Sequence, residues 1–346
     1  MSTLVGTWSS TTETAQRIIA LAYAFREAKA LLSAVELGIF DALADGPLAI
    51  EALRQRIGLH PRGTRDFLDA LVALGLLDRD TQGRYSNTIA SMQHLVRGKP
   101  GYVGGLLRHL NDREYPYWAH LTEALRSGRA QFGGGEGLYP DLYSDPADAE
   151  LFAAAMSGGS LLTAQSLAGG FPWRDYKTLI DIGSAEGRLP VTIALAHPHI
   201  TGGGFDLPAV GGAFERYVAK NKLSDRVRFY PGDFLRDPLP EAEVLVLGRV
   251  LHNWDLETKG LLLRKAHAAL LPDGALIVYE RLIDDERRTN LTGMLSSLNM
   301  LIMTDGGFDF SGTDCVSWLQ EAGFCDMRVE RLTYEQSMVV GFKRSR

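Results

Sequence analysis

Hydrophobic positions in the first hundred residues recur at helical spacing. Leu31, Leu32, Val35, Ile39 and Leu43 fall on one helical face, and Gly46-Pro47 then breaks the pattern. Ile50, Leu53 and Ile57 predict a second short helix. Phe67, Leu68, Leu71, Val72 and Leu74 predict a third. The stretch from Gly75-Leu76-Leu77-Asp78 to Gly83-Arg84-Tyr85 reads as a small two-stranded wing. Between Gly101 and Gly170 the pattern stays helical around a glycine-rich interruption, Gly133-Gly134-Gly135-Glu136-Gly137. After Trp173, apolar runs of strand length alternate with helical stretches. The runs are Thr178–Ile182, Gly203–Leu207, Val227–Tyr230, Val244–Leu247 and Leu276–Glu280, which predicts βαβ units and a parallel sheet covered on both faces. Met327–Leu332 and Ser337–Phe342 are joined by so short a link that they must form an antiparallel hairpin.

Composition narrows the class. The chain has 346 residues, too many for one ordinary domain and enough for two. Hydrophobic residues at 45% and charged residues at 23% exclude a disordered chain. Two cysteines, Cys315 and Cys325, make no disulfide framework and fit a reducing, cytoplasmic setting. The net charge of −6 and the lack of a long basic run argue against a nucleic-acid partner. No run reaches the ~20 apolar residues of a membrane span, and the N-terminus carries no basic-then-apolar signal. Three short helices and a wing are a winged-helix pattern, used for DNA binding or for packing. Arg62, Arg65, Asp66 and Asp69 on the third helix nearly cancel, which favours packing. Ile18–Tyr23, ahead of it, reads as an apolar partner-binding arm.

The chemistry lies at the predicted strand ends. Asp181-Ile182-Gly183-Ser184-Ala185-Glu186-Gly187 follows the first strand and opens a helix. A tight glycine turn there lets backbone N–H groups approach a ligand. An acid at the strand end repels pyrophosphate but suits a cationic, amino-acid-bearing ligand such as S-adenosylmethionine. Asp206 closes the second strand, where an acid accepts hydrogen bonds from ribose hydroxyls. Gly232-Asp233-Phe234 closes the third and offers an acceptor and a stacking ring to an adenine. The fourth strand runs into Leu251-His252-Asn253-Trp254-Asp255. A neutral imidazole at that edge can accept a proton near pH 7, and Glu280, ending the fifth strand, can hold it. Asp255 also reads as a helix N-cap. His109, His120, His197, His199 and His267 lack a matching cluster of acids or thiols, so no metal site is expected.

These residues resemble the class I S-adenosylmethionine-dependent methyltransferases. More narrowly, the chain resembles the small-molecule O-methyltransferases that include caffeic acid-type, acetylserotonin and bacterial natural-product enzymes. The likeness covers nearly the whole chain and rests on Asp206-Leu207-Pro208-x-Val210, Gly232-Asp233-Phe234 and Leu251-His252-x-Trp254. It implies a Rossmann-like α/β sheet of seven strands with an antiparallel terminal hairpin. It also implies a winged-helix dimerisation domain over residues 1–105 and a methyltransferase domain over 106–346, with pocket-lining helices over 106–170. By the same likeness Asp181, Gly183, Gly187, Asp206, Leu207, Asp233, Phe234 and Arg249 line the cofactor. His252 deprotonates the acceptor hydroxyl, flanked by Glu280 and by Asp309 of Gly306-Gly307-Phe308-Asp309. Phe152, Met156, Trp254, Asn299, Met300 and Met303 line the acceptor pocket. The implied partners are a small, aromatic hydroxyl substrate and a second copy of the chain.

Four positions depart from the family pattern. Ser184 and Ala185 stand where Gly is usual, Asn253 follows the histidine where Asp is usual, and Gly248 replaces a basic residue of some plant members. Three other readings therefore stay open at this point. They are a relative that binds the cofactor but performs hydroxylation, decarboxylation or pericyclic chemistry, a winged-helix regulator that senses a ligand, and a nicotinamide oxidoreductase.

Overall fold

The apolar stripe from Leu31 to Leu43 folds as two helices, not one. In the structure, a computed structural model that describes residues 11–132 and 160–345, Gly38 takes a left-handed backbone (φ +70°) and breaks the stripe. Helix α1 (Thr11–Tyr23) precedes α2 (Phe25–Glu36) and α3 (Ile39–Ala42). Then come β1 (Leu48–Ala49), α4 (Ile50–Ile57), α5 (Pro61–Ala73), β2 (Leu77–Arg79) and β3 (Arg84–Asn87). The small sheet has three strands in the order β1-β3-β2, one more than the expected wing. Helices α6 (Ile89–His94) and α7 (Gly104–His109) complete this unit, which spans Met1–Asn111. Its core joins Ile39, Phe40, Leu43, Leu53, Leu68, Leu71 and Tyr85. On α5, Asp69 accepts a hydrogen bond from the Tyr85 hydroxyl (2.7 Å) and pairs with Arg79, so part of that helix's charge is used internally. On α1, Ile18, Ile19, Leu21 and Tyr23 are exposed.

The second unit, Asp112–Arg346, is built on one sheet. Short helices α8 (Tyr115–Trp118) and α9 (Leu121–Ser127) open it. Every strand-length apolar run becomes a strand. In chain order the elements are β4 (Thr178–Ile182), α10 (Arg188–Ala196), β5 (Thr201–Asp206), α11 (Gly211–Lys220), β6 (Val227–Pro231) and β7 (Ala242–Gly248). They continue with α12 (Leu256–Ala269), β8 (Leu270–Glu280), α13 (Leu291–Met303), α14 (Gly312–Glu321), β9 (Cys325–Arg331) and β10 (Ser337–Phe342). The strand order is β6-β5-β4-β7-β8-β10-β9. The first five strands are parallel, and β10 pairs antiparallel to both β8 and β9.

Burial alternates with period two along these strands. Leu245 and Leu247 enter one core while Val244 and Val246 enter the other; Leu276 and Val278 face away from Ala275 and Ile277 in the same way. Both faces are covered, as a parallel sheet requires. Successive strands are added toward one edge from β4 to β6 and toward the other from β7 onward, so the order reverses between β4 and β7. That switch point is where open α/β sheets leave a crevice at the carboxyl ends of their strands.

Gly248, at the end of β7, is explained by its neighbour. A Cβ there would meet the Tyr279 ring at 2.0 Å, and Tyr279 is buried beside it on β8. The side chain that some relatives carry at this point has no room here. Gly248→Ala should therefore destabilise the protein by about 1–3 kcal/mol through overpacking, read as a lower urea midpoint; an unchanged midpoint would refute this packing.

Candidate active site

Acids end three neighbouring strands. Asp181 lies in β4, Asp206 closes β5, and Asp233 follows β6. Asp206 ties the glycine turn to its own strand. One carboxylate oxygen accepts the Ala185 N–H (2.8 Å) and the other accepts the Leu207 N–H (2.7 Å). The turn itself needs glycine twice. Gly183 has φ +75° and Gly187 φ +84°, and a Cβ on Gly187 would strike Phe214 at 2.4 Å. Ser184, where relatives carry glycine, fits because Gly204 across from it has no side chain: a Cβ on Gly204 would lie 2.0 Å from the Ser184 hydroxyl. Ala185 adopts φ +49°, a left-handed conformation that glycine takes more readily.

Asp181 and Asp206 are both buried, and among the described residues neither has a basic partner. Burial pushes the Asp206 carboxyl up to about 6, against the two backbone N–H groups that favour its charge. Burial also raises Asp181 well above the usual carboxylate range, and the nearby Asp206 charge adds to the effect. Two buried acids at a bare glycine turn suit a ligand that brings its own positive charge and hydroxyl donors. S-adenosylmethionine has both. At the outer strand, Asp233 accepts the Leu235 N–H (2.9 Å), and Phe234 meets Trp254 edge to face at 5.8 Å between ring centres.

On the other side of the switch point stands His252, buried in the turn after β7. Its Nδ1 lies 3.4 Å from Asp309 and 4.0 Å from Glu280. Catalytic hydrogen bonds are often this long before the reactants are bound. Glu280 serves the histidine's backbone instead: one oxygen accepts the His252 N–H (3.3 Å), and the other lies 3.8 Å from Arg249 Nε. Asp309 is the carboxylate nearest the ring, so the acid that the fold brings to the imidazole is the shorter one. The Asp309 N–H donates to Ser297 Oγ (3.2 Å).

The environment pushes the two acids apart. Burial raises Glu280, and His252 and Arg249 only partly oppose it. Burial acts on Asp309 as well, but the His252 ring, Arg249 and Ser296 together hold its carboxyl below its ordinary value. Asp309 is therefore the one of the two that favours its charged form, the form that can hold an imidazole N–H. Donor atoms of His252, Glu280 and Asp309 converge within 4.8 Å, a spacing that a cation would also accept. Here, however, Glu280 is engaged by the His252 amide and Arg249, and Asp309 faces Nδ1.

Residues 118–325 match the model of an O-methyltransferase domain, and residues 19–97 match that of an O-methyltransferase dimerisation domain. The chain belongs to the O-methyltransferase family. It is 43% identical over 326 residues to the tetracenomycin polyketide synthesis 8-O-methyl transferase TcmO of Streptomyces glaucescens, covering 94% of this chain and 96% of that one. It is 41% identical over 322 residues to the N,N-dimethyltransferase OxyT of Streptomyces rimosus, covering 92% and 93%. The crystal structure of human N-acetylserotonin methyltransferase in complex with SAM matches at a TM-score of 0.91 and 28% identity, covering 99% of this chain and 100% of that one. The protein is thus an S-adenosylmethionine-dependent methyltransferase of the natural-product O-methyltransferase family.

Within this O-methyltransferase, the structure gathers most residues singled out from sequence at one sheet edge. Two of them make contacts that the sequence did not indicate. Arg249, grouped with the cofactor by resemblance, has a left-handed backbone (φ +58°) and sets its Nε toward Glu280. Met303 packs in a core cluster with Ala124, Phe132 and Ile302. Asn299 accepts the Trp118 indole N–H (2.9 Å), and Met300 is buried. Phe152, Met156 and the Gly133–Gly137 stretch lie outside the described residues. Asn253 turns its amide back to donate to the Arg249 and Val250 carbonyls (3.1 and 3.2 Å), a task an aspartate has no hydrogens for.

Sequence reasoning missed Glu114, Ser296, Ser297 and Lys259. Glu114 lies among the charges of Arg249, Arg281 and His252, and burial raises its carboxyl. No periodic signal marks it. Lys259 did leave a trace, because it shares a helical stripe with Leu262, Leu263 and Ala266.

If Asp206 must be ionised to hold the cofactor, acid should weaken binding. A carboxyl titrating at about 6 is mostly charged at pH 7.5 and mostly neutral at pH 5.5. Calorimetry with S-adenosylhomocysteine should then show affinity falling about fourfold over that range, whereas a flat profile would show that binding does not depend on Asp206 titrating there.

Proposed function

We propose that the enzyme methylates a hydroxyl of a small aromatic secondary metabolite, with His252 as general base. The observation that carries this is the buried imidazole whose Nδ1 faces Asp309. An acid held in its charged form there keeps the proton on Nδ1. Nε2 is then the acceptor nitrogen, and the imidazolium formed on proton uptake is stabilised. Asp309 orients the ring, and Glu280 fixes the turn that carries it. S-adenosylmethionine, when bound, supplies an electrophilic methyl group on a sulfonium. Gly183, Gly187 and Asp181 hold its amino-acid end, Asp206 and Leu207 the ribose, and Asp233 and Phe234 the adenine. Trp254, Asn299 and Met300 belong to the acceptor side.

A phenol with pKa ~10 keeps its proton at pH 7, so a base beside it has work to do, while orientation supplies most of the remaining acceleration. We also propose that residues 1–105 mediate a cytoplasmic homodimer. The exposed apolar side chains of α1 and the matching dimerisation domain support this. No helix among the described residues is long and apolar enough to cross a membrane.

A second reading, an amine as methyl acceptor, is supported by the 41% identity to OxyT, a named N,N-dimethyltransferase. Incubation with methyl-labelled cofactor and matched phenols and anilines separates the two by which product carries label. His252→Ala should lower turnover of phenols by about 10²–10⁴-fold while the calorimetric affinity for S-adenosylhomocysteine stays near wild type. Turnover within a few-fold of wild type would eliminate His252 as the base.

A further inference from the structure

Lys259 stands on the apolar stripe of α12 and has no solvent exposure. Its ammonium donates to the carbonyl of Trp254, two residues after His252. It also lies over the face of Phe308, one residue before Asp309, at 3.4 Å from the ring centre. The Phe310 and Trp318 rings stand farther off, at 5.7 and 5.9 Å. The two segments that Lys259 joins touch backbone to backbone. A Cβ on Gly307 would come within 2.7 Å of the His252 carbonyl oxygen, and one on Gly306 within 2.9 Å of Asp255 Cβ.

A buried ammonium loses hydration that a methionine of similar length would never have needed. Its retention at this junction calls for a reason other than packing. We propose that Lys259 is a positioning residue for methyl transfer: it clamps the His252–Trp254 turn to the Phe308–Asp309 segment and so sets Asp309 against His252 Nδ1. This rests on His252 acting as the base.

The charged groups facing Lys259 are Asp255 at the start of its own helix, Glu280 at the end of β8 and Asp309. The three rings around it are neutral. Burial brings the ammonium down to about 8 against the pull of these three acids. The clamp is therefore mostly charged at pH 7 and is released above pH 8. A lysine whose folded pKa is depressed opposes folding at neutral pH, and that penalty fades as pH rises from about 8 toward the unfolded value.

The test uses the full chain with Lys259→Met and Lys259→Arg. The first readout needs no acceptor: ¹⁵N chemical shifts of the His252 ring, assigned with His252→Asn, report which nitrogen holds the proton. Wild type and Lys259→Arg should show one tautomer, protonated at Nδ1. Lys259→Met should show a mixture while melting at or above the wild-type temperature. The second readout is label transfer to 1,8-dihydroxyanthraquinone, for which kcat should fall about tenfold in Lys259→Met with cofactor KM unchanged. Wild-type activity should decline above pH 8, and that decline should be absent in Lys259→Arg. A wild-type tautomer in Lys259→Met, whether its melting temperature is kept or lowered, would overturn the clamp. Failure of the base assignment shows up separately, as retained turnover in His252→Ala.

Discussion

Four ionisable groups, His252, Glu280, Asp309 and Lys259, are buried together where β7 and β8 end. Charge placed there must be paired or neutralised, because water is no longer available to solvate it. This constraint organises the site. Glu280 is drawn to a backbone N–H and a guanidinium, and the Asp309 carboxyl to the imidazole and to Ser296 of α13. On the other side of the switch point, Asp181 and Asp206 are equally buried and, among the described residues, without a basic partner. One half of the sheet edge sets acids beside basic groups, and the other half sets two acids side by side. In the function we propose, that asymmetry divides acid–base work from cofactor binding along a single row of strand ends.

The seven-stranded sheet was legible because both its faces are buried, so that each strand reads as a short apolar run between helical stretches. The acids and the histidine were legible because they terminate those runs. What stayed hidden depends on contacts between distant positions. Asp309 over Glu280 as the imidazole's nearer partner follows from how the Gly306-Gly307 pair lets one segment press on another. Glu114 sits in an irregular helical turn, Leu110–Glu114, with no periodicity to expose its burial. Gly38 was overlooked because the apolar spacing continues across it, although its left-handed backbone ends the helix.

The departures from the family pattern are each met locally. Gly204 makes space for Ser184, Tyr279 fills the space above Gly248, and two carbonyls take the Asn253 amide hydrogens. Ala185 retains a left-handed backbone, which opposes stability by about 1–2 kcal/mol, at the point where its N–H meets Asp206. These changes alter packing around the site more than the groups within it.

The most direct test of the central claim is a comparison of kcat/KM for wild type and His252→Gln across phenols whose pKa values run from about 10 down to about 7. A base matters only while the acceptor holds its proton. The ratio of wild type to variant should be large for the weakest acids and approach one for phenols that are already ionised. A ratio that stays constant across the series would contradict proton removal by His252.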